Sequence, residues 1–151
     1  ESYHSYEPDE YHTVHFGNIL HNERYRILHK VGYGRNATVW AARDEQKGLR
    51  CVAIKIFKAS ARPNRETGIM RILAANRTKH PGLAHIPVLL DEFELVGPNG
   101  TDPCIVTDIY GGRVVPDSSD SSAEYTASTA SRLQKQVLQA VDCLHQHGIV
   151  H

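Results

Sequence analysis

The segment Gly32-Tyr33-Gly34-Arg35-Asn36-Ala37-Thr38-Val39 decides which fold the sequence favours. The Gly-x-Gly-x-x-Ala spacing fits a dinucleotide-binding loop. In such a loop a helix must begin at the glycines, so that the phosphates lie at the N-terminus of the helix. The residues that follow, Thr38-Val39-Trp40-Ala41-Ala42-Arg43, include β-branched and aromatic side chains and predict a strand instead. The glycines are therefore predicted to lie at the tip of a β-hairpin, where backbone N–H groups can approach phosphates. An ordinary glycine-containing hairpin is the alternative interpretation.

A sheet of antiparallel strands is predicted around this hairpin. Turn-forming residues in Asp44-Glu45-Gln46-Lys47-Gly48 and Gly97-Pro98-Asn99-Gly100 separate short apolar runs. One of these runs is nearly all apolar, which predicts a central strand. We expect an α+β fold with a five-stranded antiparallel sheet. The predicted strands are residues 25–31, 38–43, 51–57 (the central run), 88–95 and 104–109.

Two helices are predicted beside the sheet. The first opens at Pro63-Asn64 and ends at Pro81-Gly82, and Gly68 inside it costs about 1 kcal/mol relative to alanine. The second covers residues 128–147 and stops at Gly148. Apolar side chains recur at helical spacing in both, at Ile69, Met70, Leu73 and Ala74 in the first and at Leu133, Val137, Leu138, Val141 and Leu144 in the second.

A lysine lies inside the predicted central strand, in Val52-Ala53-Ile54-Lys55. An ammonium group in an apolar strand is unfavourable unless it is paired. Glu66 is the only acidic residue between Lys55 and Asp91, and its spacing from Ile69 and Met70 places it on the core-facing side of the first helix. We therefore predict an ion pair between Lys55 and Glu66. A lysine that reaches solvent from a strand end is the alternative.

The composition of the chain excludes several classes of protein. The 151 residues carry 17 basic and 17 acidic side chains, so the net charge does not favour nucleic acid or a membrane surface as a partner. Three single cysteines without a Cys-x-x-Cys pair predict neither a disulfide framework nor a zinc site. His145 and His147 are too far apart around a helix to share one ion, and no metal site is predicted.

Taken in order, these features resemble the protein kinases, whose signature comprises a glycine-rich loop, Val-Ala-Ile-Lys and a helix glutamate. Cys104-Ile105-Val106-Thr107-Asp108-Ile109-Tyr110-Gly111-Gly112 resembles the fifth kinase strand and the hinge between the lobes. Cys143-Leu144-His145-Gln146-His147-Gly148-Ile149-Val150-His151 resembles the helix before the catalytic loop, with His151 at the start of the His-x-Asp motif. The resemblance covers residues 25–151 and implies a protein-kinase-like N-terminal lobe.

The resemblance also implies which residues bind ATP. Lys55, fixed by Glu66, is the implied catalytic lysine that contacts the α and β phosphates. Asp108 and Tyr110 would offer backbone groups to adenine beside Thr107 at the gatekeeper position. Two departures from the kinase pattern are Arg35-Asn36 in place of an aromatic residue and Ala37 in place of the third glycine. The implied nucleotide-binding residues are Val31, Gly32, Gly34, Ala37, Val39, Ala53, Lys55, Thr107, Asp108 and Tyr110.

Within the kinases, the sequence is most similar to the serine/arginine-protein kinases, particularly fungal ones. The likeness lies in the leader Tyr6-Glu7-Pro8-Asp9-Glu10-Tyr11-His12-Thr13-Val14-His15-Phe16-Gly17-Asn18, in Arg24-Tyr25-Arg26-Ile27 and in Phe93-Glu94-Leu95-Val96-Gly97-Pro98-Asn99-Gly100. Without the resemblance, the leader would read equally well as a disordered tail. The resemblance implies phosphorylation of serine in Arg/Ser-rich proteins, in the cytoplasm and nucleus.

The resemblance divides the chain into an N-terminal extension (1–22), the kinase N-lobe and hinge (23–112) and the start of the C-lobe (113–151).

Phosphoryl transfer requires an Asp at the substrate hydroxyl and further ligands for magnesium. The kinase pattern places that Asp two residues after His151, so we expect an inactive fragment of an ATP- and Mg²⁺-dependent kinase, with the Mg²⁺ ligands in the absent lobe. The exposed stripe of the second helix predicts self-association. The alternative is a non-catalytic nucleotide-binding or scaffolding module, that is, a pseudokinase.

Overall fold

A computed structural model describes residues 11–60, 65–75, 80–97, 100–111 and 126–150. The chain divides into two compact units, Glu1–Gly68 with Val88–Ile109, and Ile69–Pro87 with Tyr110–His151. The division falls inside the first helix, α1, which covers Arg65–Ala75. Pro63-Asn64, Gly112 and His151, which the sequence analysis singled out, lie outside the described residues.

The first unit is built on an antiparallel sheet, so the predicted α+β class is confirmed. Its strands lie in the order β1-β2-β3-β4-β6-β5, and every neighbouring pair is antiparallel. The hairpin of β2 and β3 contains the glycines, which excludes the alternative of a helix beginning there. The strands are β1 (Ile19–Leu20), β2 (Tyr25–Gly34), β3 (Ala37–Asp44), β4 (Arg50–Phe57), β5 (Asp91–Gly97) and β6 (Gly100–Asp108).

The sheet has six strands rather than the five predicted, because β1 adds a short edge strand before β2. Two residues are too few to produce an alternating pattern, and the sequence therefore gives no sign of this strand. The chain turns back through His21, Asn22 and Glu23, all with positive φ, and the Arg24 N–H donates to the Leu20 carbonyl at 3.1 Å. β1 lies within residues 1–22, which were assigned to an N-terminal extension.

The last hairpin extends further than the sequence predicts. β5 and β6 pair up to Gly97 opposite Gly100, so that residues 101–103 belong to the sheet. Asp102 and Pro103 have low strand propensity, which is why the prediction began only at Cys104. Pairing with β5 overrides that propensity, and Asp102 is fully buried.

One face of the sheet carries the hydrophobic core. Ile54 at the centre of β4 lies opposite Trp40 of β3 and Val106 of β6, and Ile54 and Val106 are completely buried. The rings of Tyr25 and Phe93 stack at 5.7 Å between centroids beside this row. The remaining members of the core cluster are Val14, Ile27, Ala42, Val52, Ile56 and Cys104.

A single arginine joins three strands at the end of the sheet. The Arg24 guanidinium donates to both carboxylate oxygens of Asp44, at 3.1 and 2.8 Å, and to Asp91 at 2.6 Å. The hydrogen bond from Arg24 lowers the pKa of Asp44 below its ordinary value of 3.8. The ion pair between Arg24 and Asp44 therefore stabilises the fold at pH values above the ordinary pKa of Asp44. This contribution is lost as the pH falls through the lowered pKa. Tyr25 also donates to Asp91, at 2.7 Å.

The second unit contains a short 3-10 helix (Pro81–His85) that packs on α2 (Ala127–Gln146). The predicted helix over residues 128–147 is thus confirmed with its ends shifted by one residue. Thr126 caps its N-terminus by accepting from the Thr129 N–H at 3.3 Å. His80 Nε2 and Asp142 Oδ2 lie 3.0 Å apart and join the 3-10 helix to α2.

Part of the predicted apolar stripe of α2 is exposed. Val137 and Leu138 are 62% and 68% accessible to solvent, whereas Leu133 and Leu144 are half-buried. Within the described residues, no helix is long and apolar enough to cross a membrane.

Two glycine substitutions test this packing. A Cβ atom at Gly82 would lie 1.9 Å from the Gln139 carbonyl oxygen, so Gly82→Ala must displace the backbone of α2. We expect Gly82→Ala to lower the free energy of unfolding by about 1 to 3 kcal/mol. Gly68→Ala is the matched control, since a Cβ at Gly68 in α1 meets no atom within 4 Å. It should raise stability by up to about 1 kcal/mol. Urea unfolding followed by circular dichroism measures both, and wild-type stability of Gly82→Ala would contradict the packing.

Candidate nucleotide-binding site

The predicted ion pair between Lys55 and Glu66 is present in the first unit. Lys55 lies on β4, on the sheet face opposite Ile54 and Ile56, and its Nζ donates to Glu66 Oε2 at 2.6 Å. Glu66 lies in the first turn of α1, where the positive end of the helix dipole favours a carboxylate. The side chains of Lys55 and Glu66 are 34% and 43% exposed. The ammonium group is therefore fixed by Glu66 but still accessible from solvent.

Strand register places further predicted residues on the same face as Lys55. Val39 of β3 lies directly opposite Lys55, and Ala53 of β4 lies opposite Thr107 of β6. Residues that face each other across neighbouring strands share one face of the sheet. All four side chains are half-buried, whereas their neighbours on the core face are buried. Around Lys55 this face thus presents the small or apolar side chains of Val39 and Ala53, while Arg43 shares the face further along β3.

The glycine-containing hairpin forms one border of this face. Gly34 pairs with Ala37 across the tip, and a register shift between Lys30 and Gly32 leaves the intervening Val31 52% exposed. A Cβ atom at Gly32 or Gly34 would meet no atom within 4 Å. Contacts within the described chain therefore do not require glycine at these positions. The open space leaves the hairpin backbone accessible to a ligand.

The residues predicted to contact adenine lie at the end of β6 and directly after it. Asp108 is the last residue of that strand, pairs with Val52, and forms an ion pair with Arg50 through its carboxylate. Thr107 donates its hydroxyl to the Asp108 carbonyl at 3.1 Å. Tyr110 is 55% exposed and belongs to the second unit. The role of Arg50 has no signal in the sequence, because charged residues are common next to turns.

The residues on the Lys55 face fit a nucleoside triphosphate. An accessible ammonium and open backbone N–H groups are donors suited to phosphate oxygens. Val31, Val39 and Ala53 offer apolar surface for a planar base. Within the described residues, no group of three or more His, Cys, Asp and Glu side chains is arranged to hold a metal ion.

Sequence reasoning missed one contact at this site. Tyr11 donates its hydroxyl to the carbonyl of Gly34, and the two residues are 23 positions apart in sequence. Tyr11 lies in a segment that reads as a polar arm, and no local pattern connects it with the hairpin. The contact therefore depends on the tertiary fold and not on a local pattern.

No protein-family model matches the chain. Curated relatives include protein kinase dsk1 of Schizosaccharomyces pombe, 37% identical over 93% of this chain and 27% of the relative. A serine/threonine protein kinase of Aspergillus fumigatus is 38% identical over 64% of this chain and 24% of its own length. Human SRSF protein kinase 3 is 28% identical over 89% of this chain and 24% of the relative.

The chain spans about a quarter of the length of these relatives, 24% to 27%. Fungal, worm and human proteins named as serine/threonine protein kinases match it over most of its 151 residues. The chain is therefore homologous to part of the length of serine/threonine kinases, among them SRSF protein kinase 3.

Proposed function

We propose that the chain is the ATP-binding part of a protein serine/threonine kinase that phosphorylates serine in Arg/Ser-rich proteins. The observation that carries this proposal is the Lys55–Glu66 ion pair on an accessible sheet face, bordered by the glycine-containing hairpin. A buried structural ion pair would not require an open face beside it. Homology to proteins named as serine/threonine kinases supports the same function.

Each residue of the site has a role in this proposal. Lys55, oriented by Glu66, binds the α and β phosphates, and backbone N–H groups of residues 32–37 bind the phosphates from the hairpin side. Val31, Val39 and Ala53 contact the base. ATP supplies the phosphoryl group that is transferred.

Adenine contacts by the backbone of Asp108 and Tyr110 stay a prediction. The division of the chain at residues 22 and 112 and its localisation in the cytoplasm and nucleus also stay predictions.

The proposal separates nucleotide binding from phosphoryl transfer. Transfer depends on positioning and on charge stabilisation by magnesium, which needs carboxylate and amide ligands. Glu66 is already engaged by Lys55 at 2.6 Å. We therefore assign the magnesium ligands and the Asp at the substrate hydroxyl to the rest of the kinase, and expect the isolated 151-residue chain not to transfer phosphate.

Lys55→Met tests the role of Lys55 in the longer kinase that contains these residues. Methionine keeps the packing of the side-chain stem and removes the charge, so the fold should persist. We expect kcat/KM for an Arg/Ser-rich peptide to fall by about 100-fold or more, as on removal of one electrostatic contact to a transition state. The measurement is transfer of labelled phosphate from ATP, with the thermal unfolding midpoint as the check on folding.

Lys47→Met is the matched control, because Lys47 is exposed in the turn between β3 and β4. It makes the same chemical change away from the site and should leave kcat/KM unchanged. Near-normal activity of Lys55→Met would show the assignment of Lys55 to be wrong. A longer kinase that binds ATP but transfers no phosphate would favour the non-catalytic alternative.

We also expect the isolated chain to self-associate, with a second copy covering the exposed stripe of α2. Val137, Leu138 and Val141 are 62%, 68% and 38% exposed, and contiguous apolar surface of this kind drives association. Size-exclusion chromatography with light scattering should detect dimers or larger species at micromolar concentration. Leu138→Gln should shift the chain towards monomer, whereas Ser131→Ala on the same helix should not. A monodisperse wild-type monomer would contradict this expectation.

A further inference from the structure

We propose that Tyr11 is a positioning residue for nucleotide binding, which restrains the glycine-containing hairpin through the carbonyl of Gly34. This inference rests on the proposed function, since it assigns the hairpin to the phosphates of ATP. The contact of Tyr11 with this hairpin is made at the Gly34 carbonyl. It acts by limiting where the backbone of residues 34–37 can move.

Two contacts hold the tip of the hairpin. The Tyr11 hydroxyl donates to the Gly34 carbonyl, and the backbone N–H of Lys58 donates to the Asn36 carbonyl at 3.0 Å. Lys58 also covers the ring of Tyr11, with its Nζ 4.3 Å from the ring centroid. Tyr11 is only 6% exposed. Tyr11 and Lys58 thus hold carbonyl groups on both sides of the turn at Arg35.

The arm that carries Tyr11 is itself anchored to a rigid part of the sheet. His12 Nδ1 lies 2.6 Å from Asp102 Oδ2, and Asp102 is fully buried on β6. The other Asp102 oxygen has no hydrogen-bond partner among the described residues, so His12 is the contact that compensates the buried carboxylate. Gly97 makes room for His12, because a Cβ atom there would lie 2.7 Å from the imidazole Cε1.

The arm also contributes to the core. Val14 is 6% exposed and belongs to the core cluster, and the Gly17 N–H donates to the Ile27 carbonyl at 2.9 Å. The position of Tyr11 is therefore set by β5, β6, the core and the start of β2, at a distance from the hairpin tip that Tyr11 contacts. A fixed donor of this kind can order a mobile backbone segment before a ligand binds.

Ordering the hairpin in the free protein favours nucleotide binding, since less conformational freedom is then lost on binding. Removing the hydroxyl should raise the KM for ATP while leaving kcat unchanged at saturating ATP, which is the pattern for a contact that affects binding alone. A typical neutral hydrogen bond corresponds to a rise in KM of about three- to ten-fold.

The test is Tyr11→Phe in the longer kinase, because phenylalanine keeps the ring and removes only the hydroxyl. Thr13→Val is the matched control, which deletes a hydroxyl from an exposed side chain of the same arm. We expect a three- to ten-fold rise in KM for ATP with Tyr11→Phe and none with Thr13→Val. Without nucleotide, hydrogen exchange of the amides of residues 32–37 should accelerate in Tyr11→Phe only.

An unchanged KM and unchanged exchange in Tyr11→Phe would overturn the inference. Faster exchange across all strands, or a fall in kcat alone, would also overturn it, since these changes would indicate a general structural role. The exchange measurement needs no activity, so it tests the contact even if the kinase proposal fails. Near-normal activity of Lys55→Met would instead refute the proposed function.

Discussion

The ion pair between Lys55 and Glu66 is the interaction on which this account depends. It joins the central strand β4 to the first turn of α1, and its 2.6 Å distance fixes the direction of a charged side chain beside Val39 and Ala53. An ammonium group in an apolar strand must find such a partner or remain in solvent. Because both side chains are partly exposed, the pair contributes little to stability, and its value lies in orientation.

The two faces of the sheet differ in how deeply their side chains are buried. Along β4, Val52, Ile54 and Ile56 are buried in the core, whereas Ala53 and Lys55 point to the opposite face. On the opposite face, Ala53 and Lys55 are half-buried, whereas Ile105 of β6, which lies opposite Lys55, is buried. A shift of register by one residue would bury Lys55 and expose Ile54, so the core itself enforces the position of the lysine.

Much of this arrangement can be predicted from sequence, because it depends on local patterns. The apolar run through Lys55, the glycine turn and the lone carboxylate at Glu66 together predict the hairpin, the central strand and the ion pair. Features that depend on distant partners cannot be predicted in this way. The two-residue strand β1 depends on its pairing with β2, the buried Asp102 contacts His12 90 positions away, and the hydrogen bond from Tyr11 to Gly34 links residues 23 positions apart.

The most direct test of the central claim is chemical labelling of Lys55 by an acyl phosphate of ATP, in the longer kinase. An amine held beside the phosphates attacks the acyl carbon, forms an amide and releases ATP, and mass spectrometry identifies the modified lysine. If Lys55 binds the phosphates, it is acylated at low reagent concentration, and excess ATP prevents the reaction. Lys55 left unmodified, or acylated equally in the presence of ATP, would contradict a nucleotide site on this face.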